Sequence, residues 1–223
     1  MADYTLELNN VSKGYVQGNK KLEVLQGLNL HIKKGEMVAL VGQSGSGKST
    51  LLQIAGLLDA PDSGDVIYLG KNLSSAGDKE RTLVRRNKIG FVFQFHHLLP
   101  DFSALENIMF PNIIGGKGRE FARKRALELL DGFGLKDRAN HRPAELSGGE
   151  QQRVAILRAI THNPEMLLAD EPTGNLDPQT SDIVFDALVN AVRNYGLSAL
   201  IATHNMELAS RMDRVITLKH SVS

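Results

Sequence analysis

Gly42-Gln43-Ser44-Gly45-Ser46-Gly47-Lys48-Ser49 follows the apolar run Met37 to Val41 and leads into Thr50-Leu51-Leu52-Gln53-Ile54. The order reads strand, glycine-rich loop, helix. Such glycines allow a tight turn whose successive backbone N–H groups point at phosphate oxygens, and the following helix adds its positive N-terminal dipole. In that arrangement Lys48 reaches the outer phosphates and the Ser49 hydroxyl ligates Mg²⁺. A flexible Gly/Ser loop has a similar composition, but the strand before and the helix after it favour a phosphate site.

Working outward, Tyr4 to Asn10 and Val24 to Ile32 alternate apolar and polar residues. They predict an antiparallel pair joined by the turn-rich stretch Lys13 to Lys21, with Tyr15 at that turn, where an aromatic ring could stack on a base or pack at a sheet edge. The unbroken apolar run Met37 to Val41 suits a central buried parallel strand. Lys48 to Leu57 is expected to be helical, with Leu51, Leu52, Ile54 and Ala55 on its apolar face. Asp59 to Gly64 ends it. Val66 to Leu69 reads as a short strand and Asp78 to Lys88 as a charged helix whose Arg81, Arg85, Arg86 and Lys88 form a solvated face. Ile89 to Gln94 is another buried strand, and the Gln94 side-chain carbonyl could coordinate Mg²⁺ or position water.

From Phe95 the pattern changes. Phe95-His96-His97-Leu98-Leu99-Pro100-Asp101-Phe102 is an apolar, aromatic loop with the character of a partner-docking patch, ahead of a short helix around Ala104 to Met109. The adjacent histidines have no third ligand nearby and do not make a metal site. After Gly115-Gly116-Lys117-Gly118, Arg119 to Gly132 is amphipathic, with Phe121, Ala122, Leu127, Leu129 and Leu130 on or near one face. Leu146-Ser147-Gly148-Gly149-Glu150-Gln151-Gln152-Arg153 precedes another helix. Ser147 is placed to be its N-cap and Glu150 completes a capping box, while the two glycines leave the helix end open as a second anion site. That second site cannot easily face the first within one chain.

Met166-Leu167-Leu168-Ala169-Asp170-Glu171 is an apolar strand ending in two carboxylates. After a phosphate loop, Asp170 suits the Mg²⁺ water shell and Glu171 the water that attacks the γ-phosphate. Asp177-Pro178 reads as N-cap and first helical residue for the amphipathic stretch Ser181 to Tyr195. Ser198 to Thr203 is a buried strand ending in His204, which could bond the γ-phosphate, and Asp213 to Leu218 is a last strand.

At 223 residues, with 42% hydrophobic and 23% charged residues, the chain is long enough for one sizeable core with a subdomain. Its net charge of +1 gives no global basic excess, so no nucleic acid is expected as partner. The absence of cysteine excludes disulfides, thiolate metal sites and cysteine nucleophiles. The first residues lack a basic region followed by an apolar one, and no 18-residue apolar run occurs. A cytoplasmic protein that touches a membrane only through a partner is expected.

Taken together, these stretches resemble the ATP-binding subunits of ABC transporters over nearly the whole chain and in the family's order. Gly42 to Ser49 resembles the Walker A loop, Gln94 the Q-loop residue, and Leu146 to Gln151 the signature motif. Met166 to Asp170 with Glu171 resembles Walker B, Asn175-Leu176-Asp177 the D-loop, His204 the switch histidine, and Tyr15 the adenine-stacking aromatic. The resemblance implies an α/β P-loop NTPase fold of the ABC ATPase type, forming a single nucleotide-binding domain. It has a RecA-like core (about 1–94 and 162–223) with an antiparallel β subdomain, and an inserted helical subdomain (about 95–161). It implies ATP and Mg²⁺, with Ser49, Gln94 and Asp170 toward the metal and Glu171, His204 and Gln94 as catalytic residues. Tyr15, Gly42, Gln43, Ser44, Gly45, Ser46, Gly47, Lys48, Ser49 and Thr50 would hold the nucleotide. Ser147, Gly148, Gly149 and Asp177 would act across a head-to-tail dimer with two ATPs sandwiched between the copies.

Phe93 to Pro100 with its double histidine, Ala104-Leu105-Glu106-Asn107, and His141 to Leu146 look like the lipoprotein-releasing (Lol-type) ATPases. That implies two inner-membrane subunits docking near Phe95 to Phe102 and a peripheral place on the cytoplasmic face of the inner membrane. Macrolide-export-type and cell-division-type ATPases share Pro-Thr-Gly-Asn-Leu-Asp but are less similar after Gln94. Soluble ABC ATPases of DNA repair or translation usually carry long insertions or tandem cassettes, for which 223 residues leave no room. Three departures are Glu150 for the commoner Gln, Leu157 for the usual Ala, and Asn205 where many relatives have Asp. With the last strand read so near the end of the sequence, no regulatory domain is expected.

Overall fold

The computed structural model describes residues 3–17 and 20–218. Two sheets carry the architecture. One is antiparallel, in the order β2-β1-β4-β5, built from β1 (Tyr4–Gln17), β2 (Lys20–Lys33), β4 (Ser63–Tyr68) and β5 (Lys71–Asn72). The other is wholly parallel, in the order β6-β7-β8-β3-β9. Its strands are β3 (Met37–Val41), β6 (Ile89–Val92), β7 (Met166–Asp170), β8 (Ser198–Ala202) and β9 (Arg214–Thr217). The helices are α1 (Lys48–Ala55), α2 (Asp78–Lys88), α3 (Ala104–Ile114), α4 (Arg119–Gly132), α5 (Gly148–Ile160), α6 (Pro178–Asn194) and α7 (Met206–Ser210).

The apolar run of β3 is buried at every residue because both faces of the parallel sheet are covered. Met37, Ala39 and Val41 join a core with α3 to α6, while Val38 and Leu40 join one with α1 and the antiparallel sheet. Side chains alternating across each strand thus tie the two layers to one sheet. Because every strand of that sheet runs the same way, the residues following β3, β6, β7 and β8 emerge at one edge, where open α/β sheets bind ligands.

Several expectations need correction. Strands β1 and β2 continue well into the stretch read as a turn. Tyr15 lies opposite Leu22 in the ladder, and Gly18-Asn19, within the stretch read as a turn, lie outside the described residues. Strand β3 is interior but neighbours the edge, β8 holds the centre, and β6 is an edge strand ending at Val92. Arg81 and Arg85 are not simply solvated. Arg81 donates to the carbonyls of Leu57 (3.1 Å) and Asp59 (2.7 Å), and Arg85 to that of Leu57 (2.7 Å). They thereby satisfy carbonyls just past the negative end of α1. Phe121 leaves the apolar face of α4 and is 52% exposed. The five-residue α7 was not anticipated; its N-cap is Asn205, whose side chain accepts from Glu207 and Leu208, as an aspartate there would. Residues 219–223, including the end of the sequence, lie outside the described residues. No helix among the described residues is long and apolar enough to cross a membrane.

Candidate active site

A cleft of about 610 Å³ opens at the carboxyl edge of the parallel sheet. It is lined by Tyr15, Gly42, Gln43, Ser44, Gly45, Gly47, Lys48, Ser49, Thr50, Gln94, Asp170, Glu171 and His204, residues named from sequence, together with Val24, which was not. Alternation along β2 places Val24 there, but nothing in its own chemistry marks it.

The glycine-rich loop is shaped by contacts that leave no room for side chains. Gly47 has φ +94° as the N-cap of α1, and a Cβ on it would lie 2.9 Å from Val24 Cγ1. A Cβ on Gly42 would lie 2.5 Å from the Ser46 hydroxyl, which is buried and has no hydrogen-bond partner within the protein. Lys48 Nζ donates to the carbonyls of Gly42 (2.8 Å) and Gln43 (3.1 Å), so its charge is held over the loop. Helix α1 has no side-chain cap and no carboxylate in its first turn. Its unpaired N–H groups and dipole therefore face the cleft.

Glu171 has φ +45°, an uncommon conformation for a residue with a side chain. It is held by Glu171 N–H donating to Ala202 (3.0 Å) and by Gly174 N–H donating to the Glu171 carbonyl (3.0 Å). This kink at the end of β7 turns the carboxylate toward β8, where Oε2 accepts from His204 Nδ1 at 2.9 Å. An ionised carboxylate only accepts, so Nδ1 carries the proton and Nε2 is left for another partner. Gln94 Nε2 donates to Asn175 Oδ1 at 2.8 Å, which leaves the Gln94 carbonyl oxygen as the ligand-type atom. Tyr15, 38% exposed, donates its hydroxyl to Asp59 Oδ2 at 3.1 Å. Asp59 is also paired with Lys13, and its carboxyl is held below its usual range by hydrogen bonds from Lys13, Ala60 and Tyr15 that outweigh its burial.

Ser147, Gly148, Gly149 and Asp177 do not line this cleft. Ser147 caps α5, accepting from Glu150 N–H (3.2 Å), while Glu150 Oε2 accepts from Ser147 N–H (2.8 Å) and Oε1 from Arg138 Nε (2.9 Å). Arg138, in a one-turn 3₁₀ helix, carried no sequence signal for this. Gly149 permits close helix packing, since a Cβ on it would lie 2.5 Å from Thr180 Cγ2 in α6. Asp177 is the N-cap of α6, accepting from Thr180 N–H at 3.0 Å. Ser147 and Gly148 are exposed.

The loop after Gln94 is fixed by Arg158, which donates to the carbonyls of His97 (2.7 Å) and His96 (2.8 Å). Phe95, Leu99 and Phe102 remain exposed. Beside this loop an apolar groove of about 440 Å³ runs between α2, β6 and α3, walled by Leu58, Ile89, Phe91, Phe93, Pro111 and Ile114 and rimmed by Arg85, Arg86, Arg158 and His162.

The family model described as ABC transporter matches residues 25–174. The lipoprotein-releasing system ATP-binding protein LolD of Paramagnetospirillum magneticum is 56% identical over 222 residues, covering 100% of this chain and 98% of its own length. LolD of Ruegeria pomeroyi is 59% identical over 219 residues, covering 98% and 96%. Among solved structures, the dimeric post-hydrolysis state of the ATP-binding cassette MJ0796 bound to ADP and Pi is 43% identical. It superposes with a TM-score of 0.87 over 96% of this chain and 94% of that one.

Proposed function

Since this chain belongs to the ABC transporter family, we propose that it is the ATP-hydrolysing subunit of an inner-membrane transporter that releases lipoproteins toward the outer membrane. The observation that carries the ATPase reading is the single cleft in which Lys48, Ser49, Gln94, Asp170, Glu171 and His204 converge from four different strand ends. Lipoprotein release is supported by full-length relatives of that name at 56–59% identity and by the Phe95-His96-His97 loop.

The residues fit ATP with Mg²⁺. The orphaned Ser46 hydroxyl, the space at Gly42 that a Cβ would fill and the uncapped end of α1 form a cradle for phosphate oxygens. Lys48 supplies the counter-charge, exchanging its carbonyl contacts for phosphate. The Ser49 hydroxyl, the Asp170 carboxylate and the Gln94 carbonyl are oxygen donors of the kind Mg²⁺ takes alongside substrate phosphates and water. Bound there, the ion would neutralise charge on the phosphates. Tyr15 offers its ring to the base. Glu171 orients and deprotonates the attacking water through the oxygen not bonded to His204, and the His204 ring fixes the carboxylate.

Ser147 to Gly149 and Asp177 complete the site from a second copy, so that ATP joins two chains head to tail and hydrolysis loosens them. We divide the chain as a core of about 1–94 and 162–223 with a helical subdomain of about 95–161. The apolar groove with the Phe95–Phe102 loop takes a membrane subunit, because its aromatic walls suit the apolar anchors that carry interface energy and its three rim arginines, Arg85, Arg86 and Arg158, suit acidic groups. The chain then sits peripherally on the cytoplasmic face of the inner membrane.

The test is Glu171→Gln. It should retain ATP binding, accumulate an ATP-dependent dimer in sedimentation, and lose turnover by about 10²-fold or more. Near wild-type turnover would overturn the assignment of Glu171. For the cargo, membrane subunits that co-purify should stimulate the ATPase in a lipoprotein-release assay. Stimulation by a small exported molecule alone would point instead to a macrolide-export-type system.

A further inference from the structure

The corner where α3 meets α4 gathers cations and exposed apolar side chains in one place. Residues 117–125 hold five cations, Lys117, Arg119, Arg123, Lys124 and Arg125, against one carboxylate, Glu120, a net +4 in a chain whose total is +1. Arg125 turns inward to Asn163 and the Tyr195 ring, and the other four cations are exposed. Among the described residues, no carboxylate lies within ion-pair distance of those four. Arg119 and Lys117 sit at the positive end of α4, where the helix dipole disfavours cations, so local helix stability does not explain them.

Large apolar side chains are interleaved with these charges. Ile113 is 39%, Ile114 64% and Phe121 52% exposed, and Lys117 Nζ lies 5.9 Å from the Phe121 ring centroid. Lys117 N–H donates to the Asn112 carbonyl at 2.9 Å, so the turn is folded back against α3 rather than extended. Ile114 also walls the apolar groove assigned above to a membrane subunit, so the corner continues that surface outward.

We propose that this corner lies against the anionic headgroups of the membrane leaflet, with Phe121, Ile113 and Ile114 entering the interfacial zone and Lys117, Arg119, Arg123 and Lys124 meeting lipid phosphates. Nucleic acid would use the cations alone and leave three large apolar side chains in water. A bilayer surface uses both. The contact goes beyond the expectation that the chain meets the membrane only through a partner, and its orientation rests on the groove reading.

The test needs only the isolated chain, so it can fail or succeed independently of transport. Wild-type protein should co-sediment with vesicles containing phosphatidylglycerol about 100-fold or more better than with pure phosphatidylcholine, and should be released by high salt. Combined Arg119→Gln, Arg123→Gln and Lys124→Gln should lower binding by about 100-fold, near fivefold per charge. Phe121→Ser should lower it severalfold while keeping the salt dependence. ATPase activity, unchanged in all of these, reports that they fold. Equal binding to the two vesicle types, undiminished binding by the triple variant, or binding to duplex DNA without binding to vesicles would each overturn the proposal.

Discussion

Helices α1 and α5 both begin on glycines beside a candidate phosphate position, and the two ends are finished in opposite ways. At α1 the N-cap is left-handed Gly47, with no capping side chain and no acidic residue in the first turn. At α5 the N-cap is Ser147, locked in a reciprocal box with Glu150, whose second oxygen is held by Arg138. Every helix start leaves four N–H groups without intrahelical partners. The first end leaves them for an external anion. The second has already answered part of that demand with its own hydroxyl and carboxylate, and keeps an exposed Ser147 and Gly148 for whatever approaches from outside. Such a division suits a site in which one chain holds the nucleotide and the other closes over it reversibly. The second contact must be weak enough to open after hydrolysis, since only a difference in affinity between states moves a partner.

The largest expected effect falls on the first end. Lys48→Ala removes a charge-assisted contact and should weaken ATP binding to the monomer by roughly ten- to a hundredfold, measured by nucleotide titration. Ser147→Ala should leave that titration unchanged. It should reduce ATP-dependent dimerisation by about tenfold and destabilise the fold by about 1 kcal/mol through the lost cap, readable in denaturant unfolding. If Ser147→Ala weakened nucleotide binding in the monomer as much as Lys48→Ala does, the two ends would not be distinct.

A smaller effect is expected from Arg138. Glu150 places a carboxylate beside the position where a second copy's phosphate would arrive, and Arg138 offsets it. Arg138→Gln should weaken ATP-dependent dimerisation by at most about fivefold, because the pair is partly exposed and screened. Adding Glu150→Gln should restore it. A deficit that persists in the double variant would place the role of Arg138 in packing rather than charge.

The first end was legible in sequence because its chemistry is contiguous: strand, glycines, lysine and hydroxyl follow one another within Met37 to Ala55. The caps at Ser147 and Asp177 were legible for the same reason. What could not be read were contacts between segments distant in sequence. Arg138 on Glu150, Asn175 on Gln94, Arg81 and Arg85 on the end of α1, and Val24 against Gly47 all depend on how layers pack. The extent of β1 and β2 was missed because ladder pairing overrode the turn-forming residues within Lys13 to Lys21. Phe121 was misplaced because it lies about 100° round α4 from Ala122, on the face of Lys124, Arg125 and Glu128 rather than on the buried stripe of Ala122, Ala126, Leu129 and Leu130.

The smallest effect separates the two ends by acid. Hydrogen bonding from the Ser147 backbone, helped by Arg138, holds the Glu150 carboxyl below its usual range, and the backbone and hydroxyl of Ser103 do the same for Glu106 at the matching box of α3. A carboxyl whose folded pKa is depressed contributes stability that is complete above its unfolded value, about 4.3, and is lost as pH falls through the folded value. The N–H groups of Glu150 and Glu106 should therefore lose hydrogen-exchange protection, after correction for intrinsic rates, as pH falls below about 4.3. Helix α1, with no carboxylate in its first turn, has nothing to titrate there. Leu51 N–H, bonded to the Gly47 carbonyl at 2.8 Å, should keep its protection over the same range until the whole fold opens. Glu150→Gln should flatten the profile at α5 alone, because an amide oxygen accepts at any pH, leaving α3 to respond as before. A drop at Leu51 in step with Glu150 would mean that acid opens the fold as one unit and that the box is not the titrating element.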